Sequence, residues 1–116
     1  ALNWGRWPAW DVEGFTLYLS HPIMQTMYDV KDFLQVPAIS FWYQTGGQVS
    51  ERGRDSAEVH YRGIQDSSGR LIVLSTHNTD VADTWEREGE SAEYFNLFSP
   101  RGYAIGVNVV LYALTH

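Results

Sequence analysis

His77 and Asp80 stand three residues apart where the aliphatic run Leu71 to Leu74 gives way to Ser75-Thr76-His77-Asn78-Thr79-Asp80, and Glu86 follows within two helical turns. An imidazole near carboxylates can transfer protons or hold a divalent metal. The spacing matches no standard metal signature, and the nearest other histidines, His60 and His21, can join the group only through the fold. The bland alternative makes Asp80 a helix cap and His77 a hydrogen-bonded structural imidazole. Trp85 offers either core packing or a flat apolar face for a sugar ring. The candidate ligand-binding set is therefore His21, His77, Asp80, Trp85 and Glu86, with a carbohydrate or related polyol as the expected ligand. No cofactor is expected; a divalent metal is the alternative.

Other chemistries are excluded by residue type. The chain has no cysteine, so it offers no thiolate nucleophile, thiolate metal site or disulfide. It has no G-x-S-x-G elbow, and Ser50 lies in a loop flanked by charges. Gly46-Gly47 is not followed by the lysine and hydroxyl residue of a phosphate cradle, so residues 45–55 read as a mobile surface loop. A net charge of −6 without a basic stripe argues against nucleic acid as partner. No apolar run approaches the roughly 20 residues of a membrane span, and no signal-peptide pattern opens the chain.

These residues need elements to position them. Phe15 to Leu19 is rich in strand formers and ends at Ser20-His21-Pro22, where proline removes a donor. Met24 to Phe33 reads as a short helix or an irregular crossing, and Val36 to Tyr43 as extended. Ala57 to Ile64 alternates as a half-buried strand, and Asp66-Ser67-Ser68-Gly69 is a turn, which makes the flanking strands antiparallel neighbours. The run Leu71 to Leu74 reads as a strand covered on both faces. Thr79 or Asp80 is expected to cap a helix from Val81 to about Arg87, and Glu90 to Phe98 forms a second short helical or irregular piece. Ser99-Pro100 then starts a final helix over Arg101 to Leu114, with Tyr103, Val107, Val110, Leu111 and Leu114 on its buried face. On that assignment Val110→Asp costs several kcal/mol, and Gly106 marks close approach to a strand.

The fold class expected is α/β, a mixed sheet with covering helices. With 116 residues, 44% of them hydrophobic, the chain has enough apolar mass for one domain with its own core. Residues 1–14 form an irregular Trp-rich lead-in, in which Trp4, Trp7 and Trp10 serve as an aromatic platform or as a flap over the core. Open α/β sheets bind ligands outside the carboxyl ends of their strands, which is where His77 and Asp80 fall.

The ordered series His21-Pro22-Ile23, Tyr28-Asp29-Val30, Arg62-Gly63-Ile64, Gly69-Arg70-Leu71, Thr76-His77-Asn78-Thr79-Asp80, Trp85-Glu86 and Gly106-Val107-Asn108-Val109-Val110-Leu111-Tyr112-Ala113-Leu114-Thr115 resembles the C-terminal part of a bacterial domain-of-unknown-function family, the one numbered 4159. The likeness runs over nearly everything after Ser20. It implies a fold similar to class I glutamine amidotransferase-like and trehalose-utilisation (ThuA-like) domains, flavodoxin-like in layout, and an exported or periplasmic setting. The family carries no settled activity. Its members have a further half ahead of the His-Pro-Ile motif, so the chain is expected to be a truncated piece or a compact variant. The amidotransferase cysteine is missing, which excludes amide hydrolysis through a thiolate. An apolar face left without that half implies self-association into a homodimer or larger assembly. The function expected is a non-catalytic ligand-binding or interaction module; the alternative is an enzyme acting on a carbohydrate-like substrate, with metal assistance as one variant.

Overall fold

The hairpin turn is the most local piece of the architecture. Asp66 Oδ1 accepts hydrogen bonds from the backbone N–H groups of Ser68 and Arg70, each at 2.9 Å, and from the Ser68 hydroxyl at 2.7 Å. Gly69 closes the turn at φ +86°, a left-handed conformation that glycine adopts without a Cβ penalty. The Ser68 hydroxyl and the turn amides hold the Asp66 carboxyl below its ordinary pKa. In the computed structural model, which describes residues 14–116, this turn joins strands β2 (His60–Gln65) and β3 (Leu71–His77). A short strand β1 (Phe15–Thr16) pairs with the other edge of β2, Phe15 opposite Gly63, giving the antiparallel order β1-β2-β3.

The α/β class is as expected, with differences inside the sheet. Both pairings among the described residues are antiparallel, where a mixed sheet was expected. The first strand is two residues long because the chain bends away after Leu17, whose N–H still reaches the Tyr61 carbonyl at 2.9 Å. Along the aliphatic run of β3, Leu71 is buried and Val73 and Leu74 are half-buried, whereas Ile72, the residue left unpaired at the bulge opposite Ile64/Gln65, is 52% exposed. The aromatic lead-in at Trp4, Trp7 and Trp10 lies outside the described residues.

Val36 to Tyr43 is extended only as far as Ala38; helix α1 (Ile39–Thr45) takes the rest and ends on Gly46 at φ 69°. The proposed helix after β3 shrinks to one turn, α2 (Asp83–Glu86), which begins two residues later than expected. Asp80 does accept the first helical N–H, from Asp83 at 3.3 Å, whereas Thr79 turns elsewhere.

The last two expected pieces are one helix, α3 (Ala92–Thr115). Ser91 caps it, its Oγ accepting from the Tyr94 N–H at 3.2 Å. Pro100 lies within it on the exposed side, and the buried neighbours Phe98, Ser99 and Gly102 keep the helix continuous through the missing N–H.

Its buried stripe is Tyr94, Phe98, Ile105 and Tyr112, so the face chosen from sequence is the wrong one: Val110 is 58% exposed and Leu114 76%. Both stripes have helical spacing, and the polar Asn108 disguises the buried one. Asn108 clamps the turn that follows the Pro22–Met24 3-10 helix, accepting at Oδ1 from the N–H groups of Met27 (3.0 Å) and Tyr28 (2.9 Å) and donating to the Tyr28 carbonyl (2.8 Å).

Gly106 does mark a close approach, but to α2 rather than to a strand. A Cβ there would lie 2.9 Å from the Trp85 ring, and a Cβ on Gly102 would lie 1.9 Å from Thr84 Oγ1. Thr84 is fully buried and donates to the Val81 carbonyl at 2.6 Å, so it has no room to yield. Gly102→Ala is accordingly expected to destabilise by about 1–3 kcal/mol through overpacking, despite the gain of about 1 kcal/mol in helix propensity. Val110→Asp should change stability by less than about 0.5 kcal/mol. Chemical denaturation of both variants checks the helix phase, since exchanging the two faces reverses the ranking.

Candidate functional site

The connection from β3 to α2 carries the polar residues singled out in the sequence, and most of them hold backbone. Leu34 and Val36, both 1% exposed, lie in a segment that joins no strand among the described residues. Buried amides and carbonyls in such a segment need other partners. Thr79 Oγ1 accepts from the Val36 N–H at 2.8 Å and donates to the Leu34 carbonyl at 3.0 Å. The Asp80 N–H donates to the Val36 carbonyl at 2.8 Å. Asp83 Oδ2 accepts from the Ile39 N–H at 2.9 Å and Glu51 Oε1 from the Ala38 N–H at 2.6 Å, so two remote carboxylates face the N-terminus of α1.

Beside this clasp lies a polar cavity of about 290 Å³ lined by Glu51, Arg52, Ser56, His77, Asn78, Thr79 and Asp80. Asn78 turns the chain there at φ 63°, a conformation asparagine tolerates better than most residues. Its side-chain amide donates to the Glu58 carbonyl at 2.7 Å, and its backbone carbonyl accepts from Gln35 Nε2 at 3.1 Å. The same Gln35 nitrogen donates to the Ser56 carbonyl at 2.8 Å, which draws the 51–56 loop to the cavity. The loop read as mobile thus contributes a buried Ser56 and a 3-10 turn, Gly53–Ser56.

His77 faces His60 across the hairpin, their ring centroids 6.1 Å apart, and His60 lies 3.8 Å from Glu58. Among the described residues no three His, Asp or Glu side chains converge as metal ligands. Ser56 Oγ accepts from the Arg52 N–H at 2.7 Å and lies 2.9 Å from Ser50 Oγ, so its hydroxyl is engaged within its own loop. Burial, then the nearby Asp83 carboxylate, pushes the Asp80 pKa up, and Glu51 and Glu86 add to the effect.

Of the five residues proposed from sequence, His77 and Asp80 share this cavity. Trp85 instead lines an apolar groove along α3, and Glu86 is exposed on α2. His21 sits near the C-terminal end of α3, its ring 5.8 Å from Tyr112 and 6.2 Å from Phe15. Its Nδ1 accepts from the Ile23 N–H at 3.1 Å, capping the short 3-10 turn, and burial followed by His116 lowers its pKa. Arg52, Glu51 and Ser56 carried no signal in sequence, since only Gln35 and the α1 amides bring their loop in. The His60 pairing could have been counted outward from the turn, but the bulge at Ile64/Gln65 shifts that count by one residue.

A protein-family model described as Domain of unknown function (DUF4159) matches residues 14–114. No curated protein and no solved structure matches the chain.

The raised Asp80 pKa has a definite sign. A carboxyl whose pKa rises on folding favours the fold while protonated and opposes it once pH climbs through the folded value. Asp80→Asn keeps an oxygen for the Asp83 N–H and removes the charge. It should be more stable than the parent at pH 7, by up to about 1 kcal/mol after solvent screening. That advantage should close as pH falls toward the ordinary carboxylate range near about pH 4. Melting curves across this range test it; a variant weaker than the parent at neutral pH would show that the charge supports the fold.

Proposed function

The chain belongs to the DUF4159 family, and from that footing we propose that it is a non-catalytic binding module whose small-molecule site is the polar cavity between β3, the Asn78 turn and the 51–56 loop. The observation carrying this reading is the cavity's mixed lining. Arg52 and His77 offer donors, Glu51 and Asp80 offer acceptors, and the volume of about 290 Å³ suits one small polar ligand. Hydroxyl groups donate and accept, so a polyol or monosaccharide satisfies both kinds of wall. Trp85 takes no part, because it lines another surface; recognition rests on hydrogen bonds rather than on ring stacking. The exported or periplasmic setting implied by the resemblance is part of the same proposal.

Acid–base catalysis on such a ligand is the second reading, and one observation favours it. Asp80 and Glu51 share the cavity while burial biases Asp80 toward its protonated form. Binding is preferred because Glu51 and Asp80 each already accept a backbone N–H, from Ala38 and Asp83, and those bonds hold the fold together.

Thermal melting against a panel of monosaccharides and polyols tests the proposal. A binder raises the melting temperature with the logarithm of its concentration. That rise should vanish in Arg52→Ala and in His77→Ala, each of which leaves the clasp intact. A panel without effect at tens of millimolar, or a shift that survives both substitutions, overturns the reading; consumption of the ligand would move it to catalysis.

A further inference from the structure

Helix α3 carries two apolar stripes, and only one meets the core. Tyr103, Val107, Val110 and Leu114 follow one another at steps of four, three and four residues, the spacing of a coiled-coil seam. Val110 and Leu114 are mostly exposed, and Tyr103 is 38% exposed. Tyr103, Val107 and Val110 of this seam line a groove of about 660 Å³. Trp85, pressed against Gly106, is one wall, and Met27, an adaptable side chain held in place by the Asn108 clamp, lines the groove as well.

The occupant is narrowed by size and charge. Eight residues line the groove, whereas a stable contact between two folded domains takes roughly 20–30 residues a side. One helix laid along the seam fits that size. The rim at the Trp85 end is acidic: Glu86 and Glu88 are exposed, Glu88 binds the Tyr103 hydroxyl, and the intervening Arg87 is paired with Glu90 at 2.5 Å. A second copy of this chain would bring the same acidic rim and a net charge of −6, which opposes self-pairing. The geometry points to a docking site for an amphipathic helix of a partner protein, with an apolar stripe at three- and four-residue spacing and basic residues on its flanks. This site is separate from the polar cavity and does not depend on the ligand proposed there.

The probe is a synthetic amphipathic helix of about three heptads, leucine at a and d, made once with lysine and once with glutamate at e and g. Calorimetry with the full chain should give saturable one-to-one binding of the lysine peptide, weakened by salt. The glutamate peptide should bind at least about tenfold more weakly. Val110→Glu alters an exposed position, so it should keep the parent's melting curve yet lose at least about tenfold in affinity for the lysine peptide. The inference is overturned if neither peptide binds, if both bind equally, or if Val110→Glu folds and binds as the parent does. Light scattering of the chain alone decides the remaining case: a dimer that Val110→Glu dissolves and that excludes the peptide makes the seam a self-interface, which also overturns it.

Discussion

An extended segment buried outside any sheet is the constraint from which most of this fold follows. Among the described residues, Leu34 to Ala38 pairs with no strand, yet Leu34, Val36 and, at the start of α1, Ile39 are in the core. Its backbone must therefore be satisfied by side chains brought from elsewhere, because each buried group left unpaired costs about 1–3 kcal/mol. Thr79 serves it from the β3–α2 connection, Asp83 from the start of α2 and Glu51 from the loop after α1. The Tyr61 hydroxyl donates to the Leu34 carbonyl at 3.1 Å and the Tyr94 hydroxyl to the Pro37 carbonyl at 2.8 Å, which ties the same segment to β2 and α3. Burial raises both phenols well above the usual tyrosine range, so both stay protonated and able to donate. Sheet, α2 and α3 are thus assembled around one stretch of backbone.

The second organising feature is the contact between α2 and α3. A one-turn helix has almost no stability of its own. Gly102 and Gly106 make a flat track along α3 into which Thr84 and Trp85 settle, and the track fixes the turn where propensity could not. The bulky Trp85 is thereby held at the surface, 40% exposed, instead of being buried. The packing of α2 on α3 and the Trp85 wall of the adjoining groove both follow from these two missing side chains.

What was legible in the sequence was local chemistry. The Asp66–Gly69 turn, the hairpin around it, the strand propensity at Phe15 and the helical period after Arg101 all derive from neighbouring residues. What failed required knowing which remote group satisfies which backbone. Thr79 looks like a cap for the following helix and instead reaches back to Val36, while Asp83, inside that helix, reaches to Ile39. Pro100 looks like a helix start, yet buried contacts on both sides carry the helix through it. The phase of α3 was unreadable because its inward face contains Asn108 and Gly102 while its outward face is richer in aliphatic residues. Of the candidate site, His77 and Asp80 were legible from their place after a strand. Arg52, Glu51 and Ser56 were not, because tertiary hydrogen bonds bring them there.

The same few residues explain why the polar cavity and the apolar groove are separate surfaces. Between His77 and Trp85 the chain makes one left-handed step at Asn78, the clasp at Thr79 and Asp80, and the single turn of α2. His77 and Asp80 are left on the cavity while Trp85 is delivered to α3. Catalysis needs acid, base and substrate-holding groups to converge within hydrogen-bonding reach of one atom. Here one oxygen of each of Glu51 and Asp80 is held by a backbone N–H, and the remaining polar and apolar groups are divided between two surfaces. Polar groups collect on the cavity beside the clasp, and apolar groups collect along the groove of α3. On the proposed reading, the ties from Thr79, Asp80 and Asp83 to Val36 and Ile39 set the position of both surfaces, so neither has to be assembled by its ligand.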